Sequence, residues 1–349
     1  MRYKLLGKSG LRVSEISLGT MTFGTKWGWG ADKEASKQIL NTFTEAGGNF
    51  IDTSCNYTDG ESESFIGEFI KGDRDRYVIA TKYTLHDYRY KNDPNAGGNA
   101  RKNLLRSLKG SLERLQTDYI DILYLHMWDY MTPVQEVMRT LDDLIGSTKV
   151  NYIGISDTPA WIVSRANTMA EIRGWNPFVV YQFPYSLVFR DAERETIPLC
   201  KKMDLAMATF DVLSAGLLTG KYTREGKAPG RLVQGKWGVP PERALAMAGE
   251  VDKIADEIGC PSSQVAISWV KGQKGLFVPI LGATKEEQIE ENLGGLDIKL
   301  TEEHYKRLDQ KLREIYYFNY GFAKGWLMGA RPVIYGDTYD LIDNHRNYE

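Results

Sequence analysis

From residue 15 to about 293, short β-rich runs alternate with longer runs whose apolar residues recur at helical spacing. The predicted strands are EISLGT (15–20), FIDTS (50–54), YVIATKY (77–83), IDILYLHMW (120–128), VNYIGISD (150–157), VVYQFPY (179–185), LAMATFD (205–211) and LFVPILGA (276–283). Between them, single helical faces are formed by Ile39, Leu40, Phe43 and Ala46, by Leu104, Leu105, Leu108, Leu112 and Leu115, and by Val134, Val137, Met138, Leu141, Leu144 and Ile145. Thr132-Pro133-Val134-Gln135 and Thr284-Lys285-Glu286-Glu287 have the capping-box pattern and predict helix starts. Eight strand-then-helix units, with strands apolar enough to be covered by helices, predict a closed parallel (β/α)8 TIM barrel. An open doubly wound sheet is the alternative.

Other segments stand outside this repeat. RYKLLGKSGLRVS, with two short apolar runs around Gly7-Lys8-Ser9-Gly10, predicts a β-hairpin able to plug the bottom of the barrel. Residues 212–260, holding GKAPGRLVQGKWGVPP, are too long for an ordinary connection and are expected to form a functional lid. The tail from about 314 is rich in aromatic residues and lacks helical periodicity. No internal repeat or low-complexity segment is present, so residues 1–349 are expected to be one domain.

Composition narrows the function. Forty-four basic and 46 acidic residues leave a net charge of -2 without long single-sign runs, which argues against a nucleic-acid partner. No apolar run approaches the ~18 residues of a membrane span, and MRYKLLGKSG lacks a signal-peptide core, so a soluble, cytoplasmic protein is expected. Cys55, Cys200 and Cys260 are odd in number and far apart, which fits reduced thiols and no metal site.

In a (β/α)8 barrel chemistry is done at the C-terminal ends of the strands. There the chain places Asp52 with Tyr57 behind it, then Lys82, then His126, on three successive strands. Singly, each has a plainer role: a solvated lysine, a turn-capping aspartate, a hydrogen-bonded core histidine. As a set they are complementary. A tyrosine hydroxyl, with an ordinary pKa near ~10, needs a neighbouring cation before it gives up its proton readily. Lys82 supplies that cation, Asp52 can hold the ammonium, and His126 can hydrogen-bond the oxygen being protonated, as carbonyl reduction requires. Cys55 lies between Asp52 and Tyr57 but has no partner in the sequence to make a thiolate, so it is read as a packed residue.

With these motifs in view the chain resembles an aldo-keto reductase of the bacterial, NADPH-dependent type over nearly its whole length. LGTMTFG (18–24), IDTSCNY, VIATKY, DYIDILYLHMWD (118–129), GISD (154–157), YSLVFRDAERE (185–195), SAGLLTGKY (214–222) and ILGATKEEQIEEN (280–292) carry the likeness. The resemblance implies that Asp52, Tyr57, Lys82 and His126 are the catalytic tetrad, with Tyr57 the proton donor. It also implies a nicotinamide cofactor bound without a Rossmann fold, and no Rossmann fingerprint is found: Gly28-Trp29-Gly30 is followed by Lys33 where a small residue is needed.

The same resemblance assigns cofactor contacts. Ser156 and Gln182 fall to the nicotinamide carboxamide, Phe210 to its ring, and Gly19, Thr20, Met21 and Asp52 to its ribose side. Leu213, Gly216 and Lys221 fall to the pyrophosphate. Gly282, Thr284, Lys285, Gln288, Glu291 and Asn292 fall to the adenosine phosphate end, where a helix N-terminus also favours an anion. Asp157 replaces the usual Asn beside the carboxamide, and Asp211 a small hydroxyl residue beside the pyrophosphate. Thr284 and Gln288 occupy positions often held by arginine in NADP-preferring members, and Glu286 and Glu287 lie next to the phosphate site, so NADH stays a candidate beside NADPH, the expected cofactor. Trp27, Trp29, Trp128 and the aromatic tail, together with Tyr57 and His126, are expected to wall a pocket for an apolar or aromatic aldehyde or ketone. Two other activities fit the barrel: an NADPH-binding regulatory subunit like the potassium-channel β subunits, and a Schiff-base lyase using Lys82 as nucleophile.

Overall fold

The computed structural model describes residues 1–85, 93–224 and 242–315. Its centre is a closed barrel of eight parallel strands: β3 (Ser17–Gly19), β4 (Phe50–Asp52), β5 (Val78–Tyr83), β6 (Ile120–Leu125), β7 (Val150–Ser156), β8 (Phe178–Pro184), β9 (Ala206–Phe210) and β10 (Phe277–Gly282). Strand β10 pairs with β3 to close the ring. The predicted (β/α)8 architecture is the one adopted. Seven observed strands lie within their predicted runs, and Phe178–Pro184 starts one residue before its run. Each ends where the chain must turn outward over the barrel mouth, so His126, Met127 and Trp128 leave the ladder that Leu125 ends.

Alternation within the strands sorts side chains into two cores. Phe50, Val78, Ala80, Ile122, Tyr124, Val180, Ala206, Ala208, Val278 and Ile280 form one buried cluster in the barrel lumen. Their neighbours Ile51, Ile79, Leu123, Ile153, Tyr181, Met207 and Leu281 belong to a second, larger cluster shared with the helices outside. The hairpin pairs β1 (Tyr3–Leu5) with β2 (Arg12–Ser14). From it Leu6 and Val13 join the lumen cluster, and Lys8 N–H donates to Asp204 O at 2.8 Å, so the hairpin closes the N-terminal end as expected.

Both predicted capping boxes are replaced by other contacts. The helix Val134–Gly146 starts after Pro133, and the Thr132 hydroxyl donates to Asp129 Oδ2 at 2.7 Å instead of capping. The helix Glu286–Gly294 starts after Lys285, and Thr284 donates its N–H and hydroxyl to Gln288 Oε1 at 2.8 and 3.2 Å. A glutamine one turn in takes the Thr284 N–H that the box would have given to Glu287, and it draws the hydroxyl into donating instead of accepting.

The expected lid at 212–260 is corrected in part: Glu242–Ile258 is a helix whose Met247, Val251, Ile254 and Ala255 are buried in the outer core. The whole of its Gly- and Pro-rich stretch, within 225–241, lies outside the described residues, as does the aromatic tail from 316. Residues 314 and 315 end the helix Glu302–Ile315, tied to the helix Glu242–Ile258 by Arg307, which bridges Glu250 and Glu257 at 2.7 and 2.6 Å. Among the described residues no helix is long and apolar enough to cross a membrane, and no group of three or more His, Cys, Asp or Glu is placed to hold a metal.

Candidate active site

The lumen alternation becomes polar at the C-terminal end. Phe50 is followed two residues on by Asp52, Ala80 by Lys82, Tyr124 by His126 and Val180 by Gln182. On β7 the same parity gives Ser156, on β9 Phe210 and on β10 Gly282. Strand register brings them together: Gly282 pairs with Gly19, Gly19 with Asp52, Lys82 with Tyr124, and Ser156 with Gln182.

Lys82 is wholly buried, and its ammonium donates to Asp52 Oδ1 at 2.5 Å, Thr53 O at 2.8 Å and Tyr57 Oη at 3.2 Å. The other Asp52 oxygen accepts from Gln182 Nε2 at 2.8 Å. Both carboxylate oxygens are therefore occupied, and the ammonium is fixed between an anion and a phenol. Tyr57 arrives from the 3₁₀ turn Tyr57–Gly60, where Thr58, Asp59 and Gly60 take φ of 46, 55 and 86°. Thr58 locks that turn by donating to Phe23 O at 2.6 Å. The His126 ring stands edge-on to Tyr57, centroids 6.1 Å apart and planes at 80°, and its Nδ1 lies 3.2 Å from Ser54 Oγ.

Burial alone would lower the pKa of Lys82, but the Asp52 charge and Tyr57 outweigh it and raise the group above its ordinary value. Tyr57 is also raised: burial dominates, and the opposing pull of Lys82 does not overcome it. The pull of Lys82 does not outweigh burial, as complementarity of types suggested it would; the phenol keeps its proton beside an ammonium placed to stabilise a phenolate. Burial, helped by the Lys82 charge, pushes His126 well below its ordinary value, so the ring is neutral at physiological pH. Burial also pushes Asp157 up to about 6, against the attraction of Lys82.

The remaining candidates divide by what already occupies them. Ser156 Oγ is buried without a hydrogen-bond partner, so a ligand amide could satisfy it. Gln182 has committed its amide N–H to Asp52 and has its carbonyl left to offer. Phe210 is half-buried against the lumen cluster. The Thr20 hydroxyl is turned inward to Asp52 O at 2.9 Å, while Met21 is half-buried. A Cβ on Gly19 would meet Ile280 at 2.8 Å, so that backbone needs glycine to run close to β10. Leu213 and Gly216 lie in a turn with φ of 53° at Ala215 and 93° at Gly216, and the Lys221 ammonium is 3.9 Å from where a Gly216 side chain would begin. Asp211 is drawn into that turn, accepting from Ala215 N–H at 2.9 Å.

At the far end Lys285 is exposed, Glu291 accepts from Ser263 and Asn292 is buried. Trp27 donates from Nε1 to Asp59 at 3.2 Å and packs near Trp29, centroids 6.0 Å apart. Trp128 is buried in the outer core, so it supports the mouth from behind more than it lines it. Ser54, Asn56 and the Thr53 carbonyl are site groups that strand-end reading passed over; extending the 52, 54, 56 alternation past the strand would have found the two side chains. A polar hollow of about 590 Å³ at the opposite end, lined by Asp118, Asp121, Lys149 and Asn151 among others, contains none of these groups.

A nicotinamide dinucleotide fits best at its nicotinamide end, where the orphaned Ser156 hydroxyl and the Gly19 and Gly282 ridge border the polar cluster. Residues 15–313 match the aldo/keto reductase family model. The chain is 40% identical to an NADP(+) aryl-alcohol dehydrogenase of Phanerodontia chrysosporium, covering 97% of this chain and 89% of that protein. It is 38% identical to a norsolorinic acid reductase of Aspergillus flavus over 87% of this chain and 79% of the relative. Norsolorinic acid reductase B of Dothistroma septosporum is 37% identical over 95% and 85% of the two chains. The polar end of this barrel, and the chain that builds it, belong to the aldo/keto reductase family of oxidoreductases.

Proposed function

We propose that the protein interconverts an apolar or aromatic aldehyde or ketone and its alcohol, using NADP(H), with Asp52, Tyr57, Lys82 and His126 as the working residues. The observation carrying this is the Lys82 ammonium, held by Asp52 at 2.5 Å and touching the Tyr57 hydroxyl at 3.2 Å. A bound nicotinamide dinucleotide would supply or accept the hydride. Ser156 and the Gln182 carbonyl suit its carboxamide, with Phe210 beside the ring and Lys221 and Lys285 toward its phosphates.

Tyr57 gives its proton to the carbonyl oxygen as negative charge develops there, and Lys82 stabilises the phenolate left behind. Asp52 and Gln182 keep the ammonium in place. His126, neutral, hydrogen-bonds the same oxygen. Lys82 is charged and bound to three acceptors, which makes it a poor nucleophile and weighs against a Schiff-base lyase. Exposed Met127, Tyr130 and Met131 follow His126 directly and, with Trp27, suit an aromatic substrate, as do relatives named for aryl alcohols.

Tyr57→Phe tests the reading. Turnover of an aromatic aldehyde such as benzaldehyde should fall by ~10²–10⁴-fold while NADPH affinity, followed by fluorescence titration, stays nearly unchanged. A variant that reduces the aldehyde at the wild-type rate would falsify the mechanism. The same titration with NADH tests the cofactor: tighter binding of NADPH supports Lys285 at the phosphate, and tighter NADH binding refutes it.

A further inference from the structure

His126 is neutral, so its ring carries one N–H and the two nitrogens cannot play the same part. Nδ1 faces Ser54 Oγ at 3.2 Å. Ser54 is buried, and its single hydroxyl proton has two claimants, His126 Nδ1 and the Asn56 amide 2.7 Å away. With Asn56 Oδ1 toward Ser54, the hydroxyl donates to the amide, must accept from Nδ1–H, and leaves Nε2 bare. Turning the Asn56 amide over changes the chemistry while moving its atoms little. Asn56 Nδ2 then donates to Ser54, Ser54 donates to Nδ1, and the ring proton sits on Nε2. The orientation of one amide thus decides whether His126 presents a donor or an acceptor to its ligand.

We propose that Ser54 is a positioning residue which, backed by Asn56, holds His126 in the Nε2–H tautomer. The choice of tautomer rests on the carbonyl-reduction reading, in which His126 donates to the substrate oxygen. Each of the three groups then has its hydrogen-bonding role filled: Asn56 gives a proton to Ser54, Ser54 gives its own to Nδ1, and Nε2–H is left for the site. The relay runs through residues 54 and 56, placed by the chain leaving β4, and fixes a ring on the loop after β6.

Long-range proton–nitrogen correlation spectra of ¹⁵N-labelled full-length protein, with His126 assigned by a His126→Gln variant, read the tautomer without substrate. The expected spectrum has a protonated Nε2 and a bare Nδ1. Asn56→Asp, whose carboxylate only accepts, should draw the Ser54 proton away and place a proton on Nδ1. Ser54→Ala should remove the preference and lower kcat about tenfold with NADPH affinity unchanged, and Ser54→Thr should restore both spectrum and rate. A wild-type ring protonated on Nδ1 alone, or a ring and kcat indifferent to Ser54→Ala and Asn56→Asp, overturns the proposal. If Tyr57→Phe abolishes turnover while these variants do nothing, only the relay falls. If Tyr57→Phe stays active, the reductase mechanism falls while the tautomer is still read directly.

Discussion

Asp157 offers a quantitative test of the electrostatics at the barrel mouth. It follows Ser156 at the end of β7, half-buried, with φ of 36°, and its N–H donates to Gln182 O at 3.3 Å. Burial raises its carboxyl from an ordinary 3.8 to about 6, the nearby Lys82 ammonium notwithstanding. A raised carboxyl binds its proton more tightly folded than unfolded. The folded state is therefore favoured while the group is protonated, and loses that advantage as pH rises from about 4 through about 6. Above that window the protein carries the full penalty of a half-buried anion.

The gap between 3.8 and about 6 corresponds to about 3 kcal/mol as a ceiling, and partial exposure of the carboxylate reduces the expected effect to about 1–2 kcal/mol. Asp157→Asn removes the charge, keeps the shape and tolerates the same left-handed backbone. Equilibrium urea unfolding of both proteins should give equal stability near pH ~4, with the Asp157→Asn variant pulling ahead by about 1–2 kcal/mol above pH ~7. An advantage independent of pH would show that the carboxylate carries no ionisation penalty, and the assignment of burial as the dominant cause would be wrong.

Other perturbations probe the scaffold and the charge cluster. Glu63 is fully buried and accepts from Arg114 Nε at 2.7 Å and from the Thr81 hydroxyl at 2.5 Å. Arg114→Ala should cost about 3–5 kcal/mol in denaturant unfolding by leaving that carboxylate unpaired, whereas Arg114→Met combined with Glu63→Leu should recover most of the loss. Gly7→Ala would drive a Cβ to 2.2 Å from Val179 O at φ 54°, so the hairpin should undock. Faster hydrogen exchange at Tyr3–Leu5 and Arg12–Ser14, with a loss of roughly 2–4 kcal/mol, is the expected signature. Lys82→Met should abolish turnover and, by leaving the buried Asp52 without its cation, should cost about 3–5 kcal/mol in denaturant unfolding. A stability equal to wild type would mean that Gln182 and its surroundings suffice to hold the bare Asp52 carboxylate.

The strands were legible because parallel barrel strands, covered on both faces, read as nearly continuous apolar runs, and Val78–Tyr83 and Ile120–Leu125 are of that kind. Strand ends were less so, since His126, Met127 and Trp128 continue the apolar and aromatic composition after the ladder has stopped. Capping at Thr284 was not legible because the local box cannot show that Gln288 reaches back for the Thr284 N–H. The helix Glu242–Ile258 was hidden by Gly- and Pro-rich neighbours, although its buried Met247, Val251 and Ile254 follow helical spacing.

The site itself shows where alternation suffices and where it fails. Asp52, Lys82, Gln182 and Ser156 need only the parity that sends Phe50, Ala80, Val180 and Gly154 into the lumen; a polar residue at the next inward position lands at the mouth. Tyr57 is different, because no strand carries it. Its hydroxyl reaches Lys82 Nζ from the start of a turn that reverses through three left-handed residues, Thr58, Asp59 and Gly60, a conformation that Thr58 above all would ordinarily avoid. Thr58 donates to Phe23 O at 2.6 Å and accepts from Ser62 N–H at 3.2 Å, and these bonds help offset that strain. The proposed proton donor is thus held by contacts made outside the lumen, on residues that a reading of strand ends has no reason to consult.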